Sequence, residues 1–179
     1  MATVPYTFDD AARAIRILDP DLPAPWINYL SNGRLSAFVS QCAGGPLWWK
    51  TPISYRITRY RSWTSPDDGP GFWTYVRNAD GTVWSPSFRP CRTPLDDWEA
   101  RHEPGFSRFR GRKGGLEAEQ TLFVAHDADA LVWEVRVANR GAAAAETDVF
   151  AYADFSLFGY EAEATWGYYV RHQDRKSVV

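Results

Sequence analysis

Apolar residues recur at every second position through most of this chain, and that period is the mark of half-buried strands. The pattern is clearest in the second half. Over 106–112, Phe106, Arg108 and Arg110 alternate with Ser107 and Phe109, and the Lys113-Gly114-Gly115 turn leads into 116–125. There Leu116, Ala118, Gln120, Leu122 and Val124 share one face, while Glu117 and Glu119 lie on the other as a solvated edge. Over 131–138, Leu131, Trp133, Val135 and Val137 are expected to point inward. Asn139-Arg140-Gly141 then turns the chain into a last β-prone run at 146–155.

The first half carries shorter runs of the same kind at 26–30, 35–40, 54–60, 72–77, 82–84 and 98–102. Asp80-Gly81, after Asn78-Ala79, has the form of a hairpin turn between two of them. One stretch reads differently. Thr7 with Asp10 three residues on resembles a capping box, and Ala11, Ala14, Ile15 and Leu18 fall on one helical face. This predicts a short helix ending at Asp19-Pro20, with a strand over 14–18 as the open alternative. Strands at roughly 10–15-residue spacing with Gly and Pro punctuation predict an all-β antiparallel sandwich with less than about a tenth helix.

The length, 179 residues, fits one domain or a large piece of one. Twenty basic and 22 acidic side chains give a net charge of −2, too balanced for a nucleic-acid binder that works by phosphate contacts. No apolar run approaches the roughly 20 residues that a membrane helix needs. The first residues, Met1-Ala2-Thr3-Val4-Pro5, lack a cationic head and an apolar stretch, which predicts no leader and a cytoplasmic location. Cys42 and Cys91 are then expected as free thiols. Nine Trp, nine Tyr and ten Phe are the unusual quantity. Broad rings suit both a sugar-stacking surface and a large β core, so composition leaves both readings open.

Familiar catalytic signatures are missing: no nucleophile elbow, no phosphate-binding glycine loop, no dinucleotide fingerprint. His102, His126 and His172 stand far apart, with no second ligand at metal spacing, so no metal is expected. Asp67-Asp68 and Asp96-Asp97 are loop neighbours and identify no proton donor. Arginine is more informative, supplying 17 of the 20 basic residues. In Arg56-Ile57-Thr58-Arg59-Tyr60-Arg61, three planar guanidinium forks suited to hydroxyl pairs, carboxylates or phosphate surround a tyrosine.

Phe8-Asp9-Asp10-Ala11, Pro25-Trp26-Ile27-Asn28-Tyr29-Leu30, Ala43-Gly44-Gly45, Arg56-Ile57-Thr58-Arg59-Tyr60-Arg61, Val83-Trp84-Ser85-Pro86 and Glu99-Ala100-Arg101-His102 occur in that order. Together they resemble the N-terminal domain of the cellobiose phosphorylase-like enzymes, glycoside hydrolase family 94, formerly glycosyltransferase family 36. The resemblance runs from about Phe8 to Gln173. It implies a β-supersandwich of the galactose mutarotase-like kind that precedes a helical linker and an (α/α)6 barrel. Residues 1–179 would then be an incomplete N-terminal domain, with the catalytic barrel outside this chain.

The resemblance also implies an activity. Family members cleave a β-linked disaccharide with inorganic phosphate as co-substrate and invert the anomeric centre, giving an α-sugar 1-phosphate without any cofactor. Their acid and phosphate clamp belong to the barrel, so no catalytic residue is expected here. Cellobiose is the type substrate, with cellobionic acid, laminaribiose and chitobiose open. The full-length enzymes are homodimers in which loops of this domain lie over a barrel mouth. On that basis Arg59, Arg61, Asp67, Asp68 and Trp84 are the expected contacts to the disaccharide or to a glucose-type acceptor, offering bidentate partners for adjacent hydroxyls and a stacking face. A free-standing carbohydrate-binding β-sandwich is the alternative.

Overall fold

A computed structural model of the chain describes residues 5–59, 69–156 and 159–161. Where the alternation is strict, strands form with the apolar set turned inward. Twelve are present among the described residues: β1 (Tyr6–Asp9), β2 (Ala14–Ile17), β3 (Ile27–Ser31), β4 (Leu35–Ser40), β5 (Leu47–Trp49) and β6 (Trp73–Asn78) come first. They are followed by β7 (Val83–Trp84), β8 (Asp97–Glu103), β9 (Phe106–Lys113), β10 (Leu116–Val124), β11 (Leu131–Asn139) and β12 (Thr147–Tyr152). All strand pairings are antiparallel. One layer is a six-stranded sheet ordered β1-β2-β8-β9-β10-β11; the other consists of two three-stranded sheets, β3-β4-β5 and β12-β6-β7. The all-β antiparallel sandwich is the observed fold.

The N-terminal helix is replaced by the β1–β2 hairpin. Asp9 Oδ1 accepts the Ala12 amide at 3.1 Å, and Arg13 turns the chain with φ of 53°. Ile15 and Ile17 then pair with His102 and Ala100 of β8. Cross-strand pairing of two β-branched residues outweighs the local capping signal. The run at 54–60 makes no ladder among its described residues: only isolated bridges Trp48↔Arg56 and Thr58↔Phe155 form there.

Between the layers Ile17, Leu30, Val39, Phe72, Phe109 and Leu122 are fully buried, each contributing about 1.5–3 kcal/mol. Polar groups inside the core are tied to backbone. Gln120 Nε2 donates to the Phe72 carbonyl at 2.6 Å, and Asn28 Nδ2 donates to the Glu103 and Phe106 carbonyls at 2.9 and 3.0 Å. The two small sheets meet where Phe72 N donates to the Ala43 carbonyl at 2.9 Å. Gly71 permits that approach: a Cβ there would lie 2.2 Å from the same oxygen.

The sandwich is open along β11 and β12. Val137 and Val149 lie on the inward faces of their sheets, opposite buried Ala118 and Val76, yet are 37% and 44% exposed. The inward expectation for β11 therefore holds in direction but not in burial at Val137. β11 and β12 are also the edge strands of their sheets.

Candidate functional site

The arginine-rich segment begins against β5. Thr58 Oγ1 accepts the Leu47 amide at 2.7 Å, and the Leu47 carbonyl accepts the Ile57 and Thr58 amides at 2.9 and 3.2 Å. On its other side the segment is tied to the chain after β12. The Arg59 amide donates to the Asp154 carbonyl at 2.7 Å, and Ser156 N donates to the Ile57 carbonyl at 3.0 Å. Residues 56–59 are thus strung between two parts of the fold that are far apart in sequence.

Arg59 is buried, at 7% exposure, and its Nη1 lies 3.2 Å from Asp154 Oδ1. A guanidinium held in this way anchors the main chain and is turned away from solvent. Asp154 is partly exposed, so the pair sits at the margin of the core. Arg61, Asp67 and Asp68 lie outside the described residues. Trp84 departs from its expected role: it is 0% exposed, and its Nε1 donates to Asn78 Oδ1 at 2.8 Å. Its ring lies against Gly111, where an added Cβ would come within 3.4 Å of Trp84 Cζ3. With both faces packed, Trp84 offers no surface for a sugar. It is a core residue, because a two-residue strand gives no alternation from which burial could be read.

Exposed rings occur next to the anchored segment instead. Trp49 and Tyr55 meet edge to face with centroids 5.4 Å apart, and Lys50 Nζ stands 4.1 Å over the Trp49 ring. The Arg56 guanidinium lies 4.8 Å from the Tyr160 centroid, and Tyr160 N donates to the Ile53 carbonyl at 2.7 Å. Tyr55 and Tyr160 are both largely exposed. This cluster was missed by sequence reasoning, although Trp48-Trp49-Lys50 and Tyr55-Arg56 carried the signal in their composition. It offers stacking faces and cations. Among the described residues no group of three or more His, Cys, Asp or Glu side chains could hold a metal ion.

His102 is a structural group. It is buried, and burial lowers its pKa to about 4 even though the Trp26 carbonyl bond raises it. The Glu117 carboxyl is held below the usual range by its hydrogen bond to Arg140, which offsets its slight desolvation. Cys42 Sγ lies 3.4 Å from the Pro20 carbonyl, and desolvation raises the Cys91 pKa. Among the described residues no helix is long and apolar enough to cross a membrane.

Comparison with known proteins agrees with this fold. Residues 13–172 match the model of the glycosyl hydrolase 94 supersandwich domain. The chain is 37% identical to an N,N'-diacetylchitobiose phosphorylase of Vibrio furnissii over 153 residues, 84% of this chain and 19% of that protein. The corresponding enzyme of Vibrio proteolyticus is 34% identical over the same shares. A solabiose phosphorylase of Paenibacillus borealis is 29% identical over 83% of this chain and 20% of its own length. The chain therefore spans about a fifth of the length of the curated relatives it matches.

Proposed function

This chain belongs to glycoside hydrolase family 94, and from that premise we propose that it is the N-terminal, carbohydrate-handling part of an inverting disaccharide phosphorylase. The observation that carries the proposal is the match of 84% of the chain to two phosphorylases of N,N'-diacetylchitobiose. In this reading residues 1–179 are an incomplete sandwich, and the groups that move protons and hold phosphate lie in the remainder of a longer, homodimeric, cytoplasmic enzyme. Phosphate attacks the anomeric carbon on the face opposite the leaving sugar, while a carboxylic acid protonates the leaving oxygen. The product is an α-sugar 1-phosphate.

The substrate we propose is a β-linked disaccharide. The likeness to the two Vibrio N,N'-diacetylchitobiose phosphorylases favours N,N'-diacetylchitobiose over the cellobiose of the type enzymes. Within this chain we assign the acceptor contacts to the segment that follows Arg59 and contains Arg61, Asp67 and Asp68. Arg59 acts as a positioning residue: its pair with Asp154 fixes the chain just before those residues.

The test is phosphate-dependent turnover by the longer polypeptide on a panel of β-linked disaccharides. N,N'-diacetylchitobiose should be cleaved with the highest kcat/KM, and this chain alone should cleave none. In that enzyme Arg59→Ala should raise the acceptor KM by about 10-fold, because the contacts after it are then misplaced. The phosphate KM should stay within about two-fold. Preference for cellobiose would move the substrate assignment, and an unchanged acceptor KM would reduce Arg59 to a purely structural role.

A further inference from the structure

The outer face of the six-stranded sheet carries a shallow cavity at its β9–β10 end. Phe106 and Phe123 are direct cross-strand partners, and Arg108 pairs with Thr121 in the next row of the same face. With the Pro104-Gly105 turn as a rim, these side chains border an open depression of about 350 Å³. That volume falls in the range of roughly 300–1,000 Å³ typical of small-ligand sites. Elsewhere the same face is a lattice of ion pairs, including Arg16–Glu99, Arg101–Glu103 and Arg110–Asp97. At this end Phe106, Phe123 and Val132, successive cross-strand partners, form an apolar row instead.

The polar side of this cavity is under-used. The Arg108 guanidinium lies 5.4 Å from the Phe106 centroid, and its Nε is 3.5 Å from Glu119 Oε1, too long for a hydrogen bond. That Nε is buried and makes no hydrogen bond. Glu119 offsets the arginine charge, so an anion gains little net attraction here. What remains is a flat apolar floor with a neutralised guanidinium fork and a hydroxyl along one edge.

We propose that this cavity binds a neutral hexopyranosyl unit of gluco configuration. Its ring substituents are equatorial, so one flat face of C–H groups can lie on the floor formed by Phe106 and Phe123. The rim hydroxyls then lie in the ring plane, where the Arg108 fork can donate to two adjacent oxygens and Thr121 can bond a third. A single sugar ring on so open a surface binds weakly, with Kd roughly millimolar.

Titrating this chain with methyl β-glucopyranoside, followed by amide chemical shifts, tests the site. Saturable shifts at Phe106, Arg108, Thr121 and Phe123 are expected at concentrations up to ~20 mM, well above the expected Kd. Phe123→Ala should weaken binding at least about 5-fold, and Thr121→Val, which keeps a β-branched residue on the strand, by about 2- to 5-fold. Arg140→Ala, whose ion pair with Glu117 lies at the other end of β10, should leave the affinity unchanged. The proposal is overturned if no saturable shift occurs, if shifts centre on Tyr55 and Tyr160, or if both site variants, folded by their spectra, bind as the parent does. Tighter binding of methyl β-glucuronide than of the glucoside would overturn the neutral-ligand assignment. Each outcome is independent of turnover by the longer enzyme, so failure here is distinguishable from failure of the phosphorylase reading.

Discussion

Ser107 Oγ lies 2.9 Å from His102 Nδ1, and together they join β9 to β8 inside the core. The other ring nitrogen, Nε2, is 3.1 Å from the Trp26 carbonyl, which can only accept. Nε2 therefore carries the proton, and Nδ1 accepts from the Ser107 hydroxyl. The imidazole is neutral and fully bonded.

The pH dependence follows from this. His102 takes up a proton near pH 6.5 when unfolded but only at about 4 when folded. Its contribution is intact above about pH 6.5 and is lost as pH falls toward 4, because the unfolded chain binds the proton first. The loss amounts to about 3 kcal/mol over that window. Urea unfolding of the parent and of His102→Phe at pH 7.5, 6 and 5 should show a steeper fall in the parent. Parallel curves would mean that His102 is not buried as described.

Arg59 and Asp154 should behave as a coupled pair. A double-mutant cycle to alanine should return a coupling of about 1–2 kcal/mol, and each single variant should melt about 2–8 °C lower. The partial exposure of Asp154 keeps the coupling below that of a wholly buried pair. Additive effects would remove Arg59 as the anchor of the segment after it.

Gly71→Ala should be far more damaging than Gly81→Ala. At Gly71 the new Cβ would collide with the Ala43 carbonyl, and relief would break the bond that Phe72 N makes to the same oxygen. A cost above about 3 kcal/mol is expected, set against roughly 1 kcal/mol at Gly81, where φ is +84° and space is open. Thermal unfolding of both variants measures the difference. Equal costs would contradict the close contact between the two small sheets.

The open side of the sandwich predicts association. Inward-facing but exposed Val137 and Val149, on β11 and β12 at the ends of their sheets among the described residues, are a surface that a second chain can cover. Sedimentation velocity should show concentration-dependent self-association, reduced by Val149→Glu with a melting temperature within about 2 °C of the parent. A monomer at all concentrations would mean that this side is adequately covered.

How far the chain could be read depended on how local each determinant was. From Phe106 to Asn139 the alternation alone located three strands and their turns, because one face of each meets the core. At Thr7 to Asp10 the capping pattern misled, since what decides β1 and β2 is pairing with β8, far away in sequence. Arg59 was singled out by its guanidinium, but its burial against Asp154 depends on a contact 95 residues distant. Trp84 and Tyr55 show the remaining gap: both are aromatic residues in short β-prone runs, yet one is sealed in the core and the other faces solvent. Composition could not tell them apart, and only the packing of Gly111 against Trp84 does.

The membership of this chain in a phosphorolytic enzyme is tested most directly by the anomer formed. The longer polypeptide, incubated with N,N'-diacetylchitobiose and phosphate, should release a sugar 1-phosphate whose anomeric proton and phosphorus signals in NMR are those of the α form from the first turnover. A β-phosphate, or free sugar released without need of phosphate, would contradict the assignment.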